Sequence, residues 1–135
     1  MTGETNLENL LRMIKPQLAD GDFVFCTVND PSIIAIEDVL LFFREPEGVT
    51  VILRKERADR LGWAYQFIAS WITLTVHSSL EAVGLTAAFS KALAEHGISC
   101  NVVAGYFHDH IFVDKKDTEK AMAVLKQLAE GAILK

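Results

Sequence analysis

The 135-residue sequence lacks the features that mark several large classes of protein. It has only two cysteines, Cys26 and Cys100, and both lie in apolar stretches, which favours buried thiols over a disulfide framework. Lysine and arginine form no dense cluster and the net charge is −5, which disfavours a nucleic-acid partner. No apolar run approaches the ~20 residues of a membrane helix, and the first residues do not resemble a secretory signal. These absences predict a soluble cytoplasmic protein with no membrane partner.

Motifs that carry catalysis are also missing. The sequence has no Gly-rich phosphate loop, no Gly-x-Ser-x-Gly turn and no nucleophile beside an obvious base. Half of the residues are apolar, so one ordinary domain, or two very small ones, can bury a packed core. We therefore predict a folded protein that is not an enzyme, with no catalytic residues and no cofactor.

Apolar spacing in the first half predicts short elements. Leucines and Ile14 at helical spacing over residues 7–14 predict a leading helix, which ends near Pro16 and is expected to lie against the sheet as a lid. Strands are predicted at FVFCTV, VLLFFRE and VTVILRK. A helix of about two turns is predicted at residues 32–38, and a second short helix ends at Gly62.

The second half shows the same order with a longer first helix. Alternation over residues 71–76 predicts a strand, and a strong amphipathic pattern follows, with Gly97 as a left-handed stop. SCNVVAGY and HDHIFV predict two more strands, and Asp117 is expected to cap a final helix.

The two halves are interpreted as a duplication. FCTV in the first half matches TLTV in the second, and VILRKERADRLG matches IFVDKKDTEKAM. Each copy reads strand, helix, strand, strand, helix, an order that predicts an antiparallel sheet with helices on one face. We predict an N-terminal unit at residues 1–62 and a C-terminal unit at residues 63–135.

The run VGLTAAFSKALAEHGISCNVVAG resembles the signature of ACT domains, the small regulatory modules of aspartokinases and other enzymes of amino-acid metabolism. The matching positions are Gly84, Leu85, Ala88, Phe89, Ala92, Leu93, Gly97, Ile98 and Asn101. The wider sequence is similar to bacterial tandem ACT proteins that carry no catalytic domain. The resemblance implies an α+β fold of two tandem ferredoxin-like (βαββαβ) ACT-type units with antiparallel sheets.

The resemblance also implies a site for an amino-acid effector at an interface between two ACT units. The open sheet edges of small units separately predict pairing between the halves and a homodimer. A helix N-terminus there would attract the carboxylate of the ligand. The residues implied are His77, Ser78, Ser79, Leu80, Glu81, Ala82, Val83, Gly84 and Leu85 in the loop, with Asn101, Val102 and Val103 as a wall.

A purely structural interpretation of the same loop stays open. Ser78 and Glu81 have the spacing of a capping box, which satisfies helix N–H groups without a ligand. The helix would then begin near Ser79 and contain Gly84, at a cost of about 1 kcal/mol relative to alanine. Under this alternative the protein is a structural or interaction module with a vestigial site.

Three histidines raise a metal-binding alternative. His108 and His110 alternate onto one face of a strand, and His77 ends another strand that could lie nearby. Three imidazoles can bind zinc, but no cysteine cluster or Glu-x-x-His motif accompanies them. We therefore predict no metal site, with this trio as the alternative.

Overall fold

A computed structural model describes residues 7–75 and 84–131. It contains four α-helices and seven β-strands in these two ranges. The helices are α1 (Leu7–Met13), α2 (Lys55–Leu61), α3 (Leu85–Glu95) and α4 (Thr118–Ala129). The strands are β1 (Lys15–Leu18), β2 (Phe23–Val28), β3 (Leu41–Glu45), β4 (Gly48–Arg54), β5 (Ile68–Thr75), β6 (Cys100–Ala104) and β7 (Asp109–Asp114). None of the described helices is long and apolar enough to cross a bilayer.

The chain forms two compact units, and the boundary between them falls after Ser70. The inserted unit is residues 20–70, and the split unit combines residues 1–19 with residues 71–135. In the inserted unit the strand order is β3-β4-β2, and the first residues of β5 pair with β2. In the split unit β1 pairs with β5, and β7 and β6 follow. The predicted α+β fold of two ferredoxin-like units with antiparallel strands is confirmed.

The core of the split unit lies between its sheet and helices α3 and α4. Phe89 and Leu93 of α3 and Leu125 of α4 are fully buried, and they pack with Ile111 and Val113 of β7. These positions belong to the 3.6-residue pattern of each helix and to alternate residues of the strand. The amphipathic patterns therefore predicted correctly which faces are buried.

The inserted unit has a smaller core. Val24, Val51 and Leu53 from β2 and β4 are fully buried, and Ala58 of α2 packs on them. The segment that corresponds to α3 forms only two 3₁₀ turns, Pro31–Ile33 and Ile36–Asp38. Asp30 caps the first turn by accepting a hydrogen bond from the Ser32 amide at 2.9 Å. The prediction of a shortened element was right, but it is not an α-helix.

The leading helix packs on the split unit, where α1 lies against α3 and α4. Its predicted role as a lid on the sheet stays a prediction. Its residue Leu11 and the adjacent Ile14 are buried in that unit's core. The chain then forms β1, a strand that the sequence analysis missed because Pro16 was interpreted as a stop. Proline is tolerated in an edge strand, where no ladder partner needs its N–H.

β1 also changes how the halves are grouped. Its register, from Lys15 opposite Thr75 to Leu18 opposite Ile72, completes the sheet of the split unit. The N-terminal segment therefore belongs with the second half of the chain. The predicted boundary between residues 62 and 63 divides the two copies of the sequence repeat, and it stays a prediction.

The ends of the two long helices agree only partly with prediction. α3 is followed by Gly97 at φ +74°, as expected of a left-handed stop, and the Ile98 amide closes the end by donating to the Leu93 carbonyl at 3.0 Å. Asp117 occupies the N-cap position of α4, but its side chain makes no capping hydrogen bond. The Asp114 carboxylate instead accepts from the Lys116 amide at 3.0 Å, because a 3₁₀ turn precedes the helix.

Candidate functional site

Helix α3 begins after Gly84, a residue that has no side chain to cap the first amides. Gly84 is the N-cap residue, with φ +91° and ψ −5°, and it makes no side-chain capping bond. Its carbonyl accepts the first helical bond from the Ala88 amide at 2.8 Å. The first N–H groups and the helix dipole give this end of α3 a partial positive charge. The structure thus retains the anion-attracting feature on which the site prediction depends.

The capping-box alternative is wrong in one respect. It placed Gly84 inside a helix that begins near Ser79, whereas α3 begins at Leu85 and Gly84 has left-handed backbone angles. A left-handed residue interrupts a right-handed helix, because its N–H and C=O no longer align with the turns on either side. Glycine is therefore needed here for the backbone conformation and is not an unfavourable residue in a helix interior.

Most of the predicted ligand loop lies outside the described residues. This applies to seven of the predicted contacts: His77, Ser78, Ser79, Leu80, Glu81, Ala82 and Val83. Of the predicted loop, the structure describes Gly84, which is half-buried, and Leu85, which is buried in the core of the split unit. The loop contacts stay a prediction.

The predicted wall on β6 is divided between the two faces of the sheet. Asn101 lies opposite Phe112 and Val102 opposite Ile111. Ile111 belongs to the core beneath the helices, so Val102 faces α3, whereas Asn101 and Val103 face the other way. Asn101 is exposed and lies near the start of β6. A single unit therefore does not bring the Asn101 side chain to the face on which α3 packs.

A contact to Gly84 that the sequence analysis missed comes from α1. A Cβ atom built on Gly84 would lie 3.4 Å from Leu7 Cδ2. Leu7 is half-buried and packs against the core of the split unit. The leucine spacing of residues 7–14 indicated an amphipathic helix, but no sequence signal showed that its first residue would lie beside Gly84.

His110 is part of a hydrogen-bonded cluster on the split unit. The Trp71 indole donates to His110 Nδ1 at 3.0 Å, and the Thr73 hydroxyl lies 3.0 Å from the same nitrogen. The alternation of Trp71 and Thr73 along one face of β5 was visible in the sequence, but their partner on β7 was not. His108 and His110 have ring centroids 6.4 Å apart.

This cluster favours a neutral imidazole. An Nδ1 atom that accepts from Trp71 carries no proton, so the proton of neutral His110 is on Nε2. Burial lowers the pKa of His110, and nearby His108 lowers it further, while Asp109 opposes both effects. Among residues 7–75 and 84–131, no three histidine, cysteine, aspartate or glutamate side chains are grouped to hold a metal ion. His77, the third member of the zinc alternative, is outside these ranges.

A cleft of ≈ 250 Å³ lies in the inserted unit, away from the predicted residues. Charged side chains beside the cleft form ion pairs and hydrogen bonds with their neighbours. Lys55 Nζ lies 3.0 Å from Asp59 Oδ2, and the Tyr65 hydroxyl donates to Asp59 Oδ1 at 2.7 Å. The Tyr65 bond and the Lys55 charge lower the pKa of Asp59. The cleft is lined by Gly21, Asp22, Arg54, Lys55, Glu56 and Asp59.

Comparison with protein families finds the same domain type twice in the chain. One family profile described as an ACT domain matches residues 2–70, and a second so described matches residues 66–127. The two matches together span both units. No curated protein matches the sequence.

Three solved structures illustrate the fold similarity. A Vibrio cholerae protein described as of unknown function and a "possible transport protein" is 52% identical, with a TM-score of 0.80, and the match covers 91% of this chain and 95% of that one. The aspartate kinase of Clostridium acetobutylicum is 11% identical, with a TM-score of 0.62 and coverage of 85% and 34%. The ligand-free regulatory subunit of the Thermus thermophilus aspartate kinase is 10% identical, with a TM-score of 0.57 and coverage of 86% and 98%. At such low identity, the two kinase comparisons show the fold alone.

Proposed function

The chain belongs to the ACT-domain family, whose members are small-molecule-binding regulatory modules, and on that premise we propose that it binds an amino acid and regulates another protein without catalysis of its own. The observation that carries the proposal is the start of α3. Gly84 turns the chain there, and as the N-cap residue it has no side chain to cap the amides that follow. A carboxylate is the natural ligand of such a helix end.

The proposed site lies across two copies of the protein. Asn101 and Val103 face away from α3 within one unit, so we infer that Asn101 contributes to the site at an interface with a second copy. β6 ends the strand order of the split unit among the described residues, and it contains no charged residue and no proline. Edge strands without such protection are suited to pairing with another strand.

A homodimer formed by antiparallel pairing of β6 with β6 fits this edge. A two-fold axis at Val102 would place Asn101 of one copy opposite Val103 of the other, with both side chains on the face of the joined sheet that is turned away from α3. The loop residues His77 to Val83 would complete the site, as the family resemblance implies.

Effector binding between two copies would have a regulatory consequence. A ligand held between two copies stabilises the arrangement of the copies that binds it more tightly. The size of this effect is set by the difference between the ligand's affinities for the two arrangements. Two free cysteines, Cys26 and Cys100, fit a reducing compartment, in keeping with the proposed cytoplasmic location.

Calorimetric titration with each of the twenty amino acids tests the proposal. We expect heat of binding and an increase in melting temperature with at least one of them. Asn101→Ala should weaken that binding at least about tenfold, the equivalent of about 1.4 kcal/mol. Gln127→Ala is the matched control, because it removes the same kind of exposed amide from α4.

Two results would count against the proposal. Neither heat nor a change in melting temperature with any amino acid would remove the amino-acid effector. Equal weakening by Asn101→Ala and Gln127→Ala would remove Asn101 from the site while leaving binding itself intact.

A further inference from the structure

Strand β6 of the split unit becomes more exposed towards its end, on the face where α3 packs. Cys100, Val102 and Ala104 lie on this face, opposite Val113, Ile111 and Asp109 of β7. Cys100 packs against the core, whereas Val102 is 36% exposed and Ala104 is exposed. The cover that the helices give to this face therefore decreases along β6 towards Ala104.

The start of α3 lies near the same end of β6. A hydrogen bond joins the side chains of Ser90 and Cys100, which places the middle of the helix beside the start of the strand. The chain passes from α3 into β6 through a short turn, so the helix and the strand run in opposite directions. Gly84 lies about 9 Å before Ser90 along the helix, and Ala104 lies about 13 Å after Cys100 along the strand. Gly84 is therefore level with the stretch of β6 between Val102 and Ala104.

Asp109 begins β7 at this end of the sheet and on the same face. It lies opposite Ala104, and alternation from the buried Ile111 directs its side chain to the face where α3 packs. The side chain is half-buried, and burial raises the pKa of this carboxyl, while the charges of His110 and His108 oppose the rise. Within residues 7–75 and 84–131, no lysine or arginine pairs with Asp109 and no hydrogen bond reaches its carboxylate. A partly desolvated negative charge thus lies near the start of α3.

We propose that Asp109 binds the ammonium group of the effector while the first amides of α3 bind its carboxylate. This assignment rests on the proposed function and gives the site a specificity for molecules that carry both charges. An ammonium group and a partly buried carboxylate form a strong charge-assisted hydrogen bond. A 2-oxo acid has the carboxylate but no ammonium group, so it would bring a second negative charge towards Asp109 and leave that residue unpaired. Val102 and Ala104 offer apolar contacts to the carbon atoms of the effector.

The test compares amino acids with their 2-oxo acids by calorimetry on the full chain. The probes are each amino acid that gives heat of binding and the 2-oxo acid with the same side chain. We expect the wild type to bind the amino acid at least about tenfold more tightly than the 2-oxo acid. Asp109→Asn keeps the size of the side chain and removes its charge. In this variant the amino acid should bind at least about tenfold more weakly, while the affinity for the 2-oxo acid should change by less than about threefold.

Asp117→Asn is the matched control, because it neutralises another half-buried aspartate of the split unit, one whose side chain makes no capping hydrogen bond. Asp117 follows the end of β7, whereas Asp109 begins that strand. Charges separated by more than about 10 Å are largely screened at ordinary salt concentrations, so this variant should change the affinity for the amino acid by less than about twofold. Asp109→Ser provides the same test if circular dichroism shows that Asp109→Asn does not fold.

Two outcomes would overturn the role of Asp109 and leave amino-acid binding itself in place. The first is equal affinity of the wild type for an amino acid and its 2-oxo acid. The second is a folded Asp109 variant that does not weaken binding of the amino acid more than binding of the 2-oxo acid. If no amino acid binds the wild type at all, the proposed function fails, and the role of Asp109 fails with it.

Discussion

Replacing Gly84 with alanine gives opposite results for the two interpretations of the segment before α3. In the structure Gly84 has φ +91°, so an alanine there must adopt a left-handed conformation that costs about 1–2 kcal/mol. If the helix instead began near Ser79 and contained residue 84, alanine would stabilise it by about 1 kcal/mol. The two interpretations therefore differ in the sign of the change.

The structure also separates backbone cost from steric cost at this position. The new Cβ would meet Leu7 Cδ2 at 3.4 Å, an ordinary van der Waals distance, so steric cost should be small. Gly97 is the matched control, because its φ is +74° and no atom lies within 4 Å of its Cβ position. We expect Gly84→Ala and Gly97→Ala to lower the free energy of unfolding by similar amounts, and Leu7→Ala not to relieve the loss at Gly84.

Urea denaturation followed by circular dichroism measures these changes. A loss of about 1–2 kcal/mol corresponds to a midpoint lower by roughly 1 M urea for a protein of this size. A Gly84→Ala variant as stable as the wild type, or more stable, would refute the start of α3 described here. It would also remove the helix start at Leu85 on which the proposed effector site depends.

Three further results are expected. Phe89→Ala should lower the free energy of unfolding by about 3–5 kcal/mol, because Phe89 is fully buried. Phe107→Ala should change it by less than about 0.5 kcal/mol, because Phe107 is 78% exposed. Similar losses in the two variants would contradict the core assignment. Because the pKa of His110 is lowered in the folded state, the unfolded chain becomes protonated at this residue before the folded chain does as the pH falls. The contribution of His110 to stability is therefore full above pH ~6.5 and is lost as the pH drops through the folded-state pKa. His110→Gln should flatten this dependence in denaturation at a series of pH values, and an unchanged profile would refute it. Val102→Lys should dissociate the proposed homodimer in sedimentation experiments, since lysine on an edge strand opposes pairing, and a dimer that persists would exclude the β6 edge.

Periodicity was sufficient to predict most of the fold. The buried positions of α3 repeat at helical spacing, and Gly97 follows as a stop, so the helix and its inner face followed from the sequence. The same reasoning failed at β1, because a four-residue strand that contains Pro16 has no alternation long enough to recognise. What makes it a strand is its pairing with β5, a contact between residues about sixty positions apart.

The candidate site was less predictable, because it depends on how strands are arranged and not on their local pattern. The sequence placed Asn101 next to Val102, but only the register against β7 shows that their side chains lie on opposite faces of the sheet. Likewise, the bond from Trp71 to His110 joins residues that are close only because β5 and β7 are neighbours in the sheet. Long-range register is not encoded in a short window of sequence.

An NMR titration of isotopically labelled protein with individual amino acids tests the central claim most directly. At roughly 10 mM ligand, even a millimolar dissociation constant gives near-saturation. The account predicts that at least one amino acid shifts the amide resonances of Gly84 and Leu85 together with those of β6. If none of the twenty shifts these resonances, the claim that this ACT protein senses an amino acid is contradicted.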